Sequence, residues 1–114
     1  MKIGDVSEAL SISTHTIRYY EKQGLIPNPG LDVSGHRSYS PGDVELLNWI
    51  ICLKKSGMSL ASIRAYTSAF RAQDQNTMSQ ILALHAEKLR QQQQDIQHYL
   101  EVTEHKLKKL KGLT

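Results

Sequence analysis

Groups able to do covalent or metal chemistry are few in these 114 residues. The only cysteine, Cys52, stands in WIICLKKSGMSL (residues 49–60), between Trp49 and the lysines 54 and 55. A lone cysteine fits core filler, metal ligand or reactive thiol. Metal ligation lacks partners: the chain has no C-x-C or C-x-x-C, and a soft-metal site needs further thiolates. His98 and His105 share a helix face and His85 lies upstream, but no acidic or thiol cluster joins them, so solvated histidines are expected. Paired carboxylates, a nucleophile with its base, and a phosphate-binding loop are absent. We therefore expect no metal, no cofactor and no enzyme. Lys54 and Lys55 favour a Cys52 thiolate, whereas the negative end of a helix dipole opposes it. Local sequence thus leaves the thiol's reactivity open.

Hydrogen-bond donors are better organised. In THTIRYYEK (residues 14–22), helical spacing turns Ile17 and Tyr20 inward and leaves His15, Arg18, Tyr19 and Lys22 mostly outward. Arg18 suits a phosphate or a guanine edge, and Tyr19 suits a phosphate while packing on sugar. His15 and Thr16 lie near the helix start, the end that enters a DNA groove in helix-turn-helix proteins. Shortly downstream, His36, Arg37 and Tyr39 fall on a candidate hairpin, where they would add backbone contacts. Tyr39 fits equally as core beneath that hairpin.

The elements that must position these groups follow from local signals. Ile3, Val6 and Leu10 give a first short helix. Ser13 caps a second, which ends at Gly24. The two form a helix-turn-helix pattern. Residues 25–40 are rich in Gly, Pro, Asn and Ser, with Ser34-Gly35 as a hairpin turn. Ser40 and Pro41 start a third helix, apolar on most sides and stopped by Gly57. Ser59 caps a fourth, with Leu60, Ile63 and Tyr66 or Thr67 on one face. From Asn76 to Lys111 neither Pro nor Gly occurs. Leu82, Ala86, Leu89, Gln93, Ile96, Leu100, Thr103, Leu107 and Leu110 alternate in steps of four and three, a heptad seam. Such a stripe is too narrow and long to bury on a small core, so a dimerising coiled coil is expected.

Whole-chain quantities agree. Net charge is +3 and hydrophobic residues make up 39%. The charge permits a nucleic-acid partner without demanding one. One cysteine excludes an intrachain disulfide framework and fits a reducing cytoplasm. With no apolar run near eighteen residues and no signal-like start, neither membrane insertion nor secretion is expected.

The run from Ile3 to Ile63 resembles the N-terminal domain of the MerR (mercury-resistance regulator) family. The matching pieces are I-G-x-V at 3–6, T-I-R-Y-Y-E at 16–21, G-L-I at 24–26, the wing GHRSYS and the junction LKKSGMSL. The resemblance implies an all-α fold with a small β-hairpin wing. Residues 1–70 would form a winged helix-turn-helix DNA-binding domain and 71–114 a dimerisation helix in an antiparallel coiled coil. It places Arg18, Tyr19, Arg37 and Lys54 on DNA, chiefly on phosphates, and Tyr39 in the wing. It further implies a cytoplasmic bacterial homodimer, associated with the nucleoid, on a pseudo-palindromic double-stranded promoter. Such dimers distort an overlong spacer so that RNA polymerase can engage. A chain ending at Thr114 leaves no room for the separate drug-binding domain of larger relatives. Cys52 and the plain coiled coil are similar to the NmlR/AdhR branch, which implies a Cys52 sensor of aldehydes or thiol stress. Two alternatives stay open: a non-covalent inducer with a structural Cys52, and an architectural DNA-binding protein without inducer.

Overall fold

A computed structural model describes residues 1–112; the expected end of the dimerisation segment, Leu113 and Thr114, lies outside them. Seven elements run along the described residues: α1 (Ile3–Leu10), α2 (Thr14–Lys22), β1 (Gly30–Leu31), β2 (Arg37–Ser38), α3 (Pro41–Lys55), α4 (Leu60–Arg71) and α5 (Gln75–Leu110). The mostly helical architecture with one small hairpin is the expected one. Two compact units divide it, Met1–Met78 and a second beginning at Ser79.

The cap signals act as their chemistry requires. Ser13 Oγ accepts from the Thr16 N–H at 3.1 Å at the start of α2. Ser40 and Asp43 form a reciprocal pair at the start of α3, with Pro41 in its first turn. Ser59 Oγ accepts from the Ser62 N–H at 3.1 Å at the start of α4. Each satisfies a helix N–H that would otherwise lack a partner. The α1–α2 turn passes through Ser11 at φ 55°, and the α3–α4 corner through Gly57 at φ 98°, a backbone region that strains any side chain.

In the first unit, Val6, Ile17, Leu25, Leu47, Ile50 and Ile63 are fully buried. They bring α1, α2, α3 and α4 around one core. α4 also holds the exit of α2 by polar bonds. Arg64 donates to the Gln23 carbonyl at 2.8 Å and to Gln23 Oε1 at 3.1 Å. The Thr67 hydroxyl, wholly buried, donates to the Leu25 carbonyl at 2.6 Å. Of the expected face of α4, Ile63 is buried, Leu60 is half-buried, and Tyr66 and Thr67, offered as alternatives, are both buried.

α5 has 36 residues and none is buried. At about 1.5 Å per residue it spans roughly 50 Å. Leu89, Ile96, Leu100, Leu107 and Leu110 of the seam are all exposed. The seam hydroxyl of Thr103 is satisfied locally, donating to the Tyr99 carbonyl at 2.7 Å.

Candidate nucleic-acid interface

α2 presents its outer face as its spacing predicts. Ile17 and Tyr20 are buried, and His15, Arg18, Tyr19 and Lys22 are exposed. Thr16 is half-buried, and its hydroxyl shares a 2.9 Å hydrogen bond with Ser13 Oγ. It therefore helps cap the helix that it would also use to reach a base.

The hairpin is built on one aspartate. β1 and β2 pair antiparallel, Gly30 opposite Ser38 and Leu31 opposite Arg37. Asp32 Oδ1 accepts from the Ser34 and His36 N–H groups, both at 2.9 Å. Gly35 takes φ 80° at the tip. The His36 N–H, above all, holds the Asp32 carboxyl below its usual range. Asp32 therefore supports the hairpin fully above the unfolded value of about 3.9 and loses that support as pH falls through its lower folded value. Acidification below about pH 4 is expected to loosen the tip, seen as shifts of the Ser34 and His36 amide resonances. Asp32→Asn should flatten that pH dependence.

Wing and helix meet at a cleft of about 490 Å³ lined by Lys2, Ile3, Arg18, Gly35, His36 and Arg37. The Tyr39 N–H donates to the Met1 carbonyl at 2.7 Å, which lays the first residues beside the wing. Arg18 and Arg37 thus come together, and Lys2 joins them. Lys2 carries no periodic signal, so only the folded backbone brings it there. Lys54 is exposed on the last turn of α3 and does not line this cleft.

Of the two places left open for Tyr39, a DNA contact and the core beneath the hairpin, it takes the core. It is 2% exposed, and its hydroxyl donates to Glu21 Oε1. Burial, and then the Glu21 carboxylate, hold that hydroxyl well above the usual phenol range. It belongs to the core. Arg37 is also less free than expected: its Nη1 lies 2.6 Å from Glu21 Oε2, with its side chain half exposed. Sequence reasoning overlooked Glu21. The signal was present, because Glu21 follows Ile17 by four residues and so falls on the inward stripe of α2.

Cys52 is exposed on α3. Beside it lie exposed Asn48, Trp49 and Lys55. Trp49 Nε1 donates to the Tyr66 hydroxyl at 3.1 Å. Core filler within the single chain is therefore ruled out for this thiol. Among the described residues no group of three or more His, Cys, Asp or Glu could hold a metal ion. No described helix is long and apolar enough to cross a membrane.

Comparison with known proteins decides the family. Residues 1–69 match the model "MerR HTH family regulatory protein", and residues 44–109 match "MerR, DNA binding". The chain belongs to the MerR family of transcriptional regulators. A helix-turn-helix-type regulator of Haemophilus influenzae is 34% identical over 89% of this MerR-family chain and 76% of its own. AdhR of Bacillus subtilis is 34% identical over 65% of this chain and 53% of its own. Among solved structures, HiNmlR, "a MerR family regulator lacking the sensor domain, bound to promoter DNA", superposes at TM-score 0.84 with 29% identity, covering 98% of this chain and 93% of that one. A MerR family regulator from Listeria monocytogenes superposes at TM-score 0.89 with 25% identity, covering 97% and 86%. DNA binding in the service of transcription is thus the activity of this MerR-type fold.

Proposed function

We propose that this MerR-type regulator works as a homodimer on a pseudo-palindromic promoter and activates by distorting an overlong spacer for RNA polymerase. The observation that carries this reading is the seam of α5, whose Leu89, Ile96, Leu100, Leu107 and Leu110 are all exposed among the described residues. Pairing two copies buries it and sets two basic clefts on one duplex. Half-sites one helical turn or a multiple apart would match the two-fold symmetry of such a dimer. Distortion of the spacer is work on DNA shape, with phosphates as the handles. The setting is the bacterial cytoplasm, on nucleoid DNA. In vitro transcription from promoters with spacers of graded length tests this. Activation confined to overlong spacers is expected; equal activation at all lengths would refute it.

Arg18 and Tyr19 on α2, with Arg37 and Lys54 as further phosphate contacts, carry the binding. His15 and Thr16 approach the bases. Arg18→Ala is expected to weaken operator binding more than about tenfold at fixed salt, read by fluorescence anisotropy.

The signal is electrophile or thiol stress, sensed at Cys52. Its exposure and the likeness to AdhR support this. A Cys52 thiolate adding to an aldehyde carbon, with a proton passing to the oxygen, places a polar group on α3. Cys52→Ser is expected to abolish induction by formaldehyde in a promoter-reporter strain while leaving DNA affinity unchanged. Full induction of that variant would instead favour a second reading, a non-covalent inducer. A cleft of about 290 Å³ lined by Trp49, Tyr66 and Phe70 favours that one, because it offers aromatic walls to a small molecule.

A further inference from the structure

Glu21 is the one carboxylate drawn into the core among the described residues. An ionised carboxylate in that setting is strongly destabilising unless its charge is matched. Two groups match it, and both come from the wing. The Tyr39 hydroxyl donates to Oε1. Arg37 Nη1 meets Oε2 at 2.6 Å as a charge contact, without hydrogen-bond geometry. Glu21 lies in the last turn of α2, and Arg37 lies on β2. The buried carboxylate therefore joins the recognition helix to the wing from the inside.

Arg37 also has an outer side. Its side chain is 48% exposed, against 3% for Glu21, and it lines the cleft with Arg18. A guanidinium carries five N–H donors in a rigid fork. One edge of the fork can rest on Glu21 while the other faces the cleft.

We propose that Glu21 is a positioning residue for DNA binding: from inside the fold it fixes the Arg37 guanidinium so that its outer edge meets a phosphate in register with Arg18. The inference rests on the reading of Arg37 as a DNA contact. Two effects of the carboxylate oppose each other. It offsets part of the Arg37 charge, which weakens long-range attraction to DNA. It also restrains a flexible side chain in one place, which favours a fixed contact. Attraction over distance is screened beyond about 8 Å at physiological salt. On this proposal the contact term exceeds the charge offset, so that losing Glu21 weakens specific binding.

The test uses the full chain and the duplex that it recovers by selection from a randomised pool. Arg37→Ala is expected to bind about tenfold more weakly and to flatten the salt slope by about one. Glu21→Gln keeps the shape and an acceptor for Tyr39 but removes the charge. It should reproduce most of the Arg37→Ala loss. The double variant should bind within about twofold of Arg37→Ala alone, as coupled residues do. Losses that multiply, or wild-type affinity in a folded Glu21→Gln variant, would overturn the positioning role alone. Wild-type affinity in Arg37→Ala would instead remove the DNA contact on which it rests. Should Glu21→Gln not fold, Arg37→Lys decides. It keeps the surface charge but lacks the planar fork, so a loss of several-fold is expected and wild-type affinity would overturn the proposal.

Discussion

Leu100→Asp is expected to leave the chain monomeric at micromolar concentration and to weaken promoter binding by at least about a hundredfold. Leu100 sits in the middle of the α5 seam and is 49% exposed in the single chain. The substitution thus costs the isolated chain little. In a two-fold dimer it enters the seam twice. Each copy loses a buried leucine and gains a carboxylate that the apolar seam cannot solvate, about 3 kcal/mol or more per copy. Every 1.4 kcal/mol is about tenfold in the dimer constant, so two such losses move it by roughly four decades. DNA binding then falls because two half-site contacts no longer act as one molecule. Sedimentation velocity and anisotropy on the same samples check both parts. His98→Asp, on the face opposite the seam, should remain dimeric. A dimeric Leu100→Asp chain would sink the coiled-coil reading.

The second large effect concerns Ile17. It is fully buried in α2, directly beside exposed Arg18. Ile17→Ala removes packed methyl and methylene groups from the core and leaves a partly unfilled space, at about 2–5 kcal/mol. Total stabilities of ordinary domains are about 5–15 kcal/mol, so this is a large share. A clearly lowered urea midpoint with an unchanged slope is expected. Arg18→Ala, one residue on, should show the reverse pattern: near-normal stability and poor DNA binding. Equal unfolding curves for the two variants would contradict the inward and outward assignment of this helix.

The elements were legible because their determinants are local. Ser13, Ser40 and Ser59 announce helix starts through their own hydroxyls, and the α5 seam shows in its spacing alone. The outer face of α2 was equally plain. What escaped lies between segments. Tyr39 fitted surface and core equally, because a tyrosine on a short hairpin gives no sign of which side it takes. Its place was decided by Glu21, eighteen residues earlier. Glu21 did fall on the inward stripe, but a carboxylate there reads as an exception until a matching cation is found. Lys2 joins the cleft where Met1 and Tyr39 pair through their main chains, the Tyr39 N–H donating to the Met1 carbonyl and the Met1 amino group donating to the Tyr39 carbonyl.

The bonds from α4 to the end of α2 bear on how such a protein could be altered. Arg64 and Thr67 grip the Gln23 and Leu25 carbonyls, groups that almost any residue supplies equally. The grip is therefore largely indifferent to the letters written on the outer face of the helix. Exchanging the exposed His15, Arg18 and Tyr19 for the residues of another regulator is expected to retarget the protein while sparing its frame, with Thr16 kept for its part in the cap. On the proposed reading of that face, address and machinery are separable, and the main chain is what separates them.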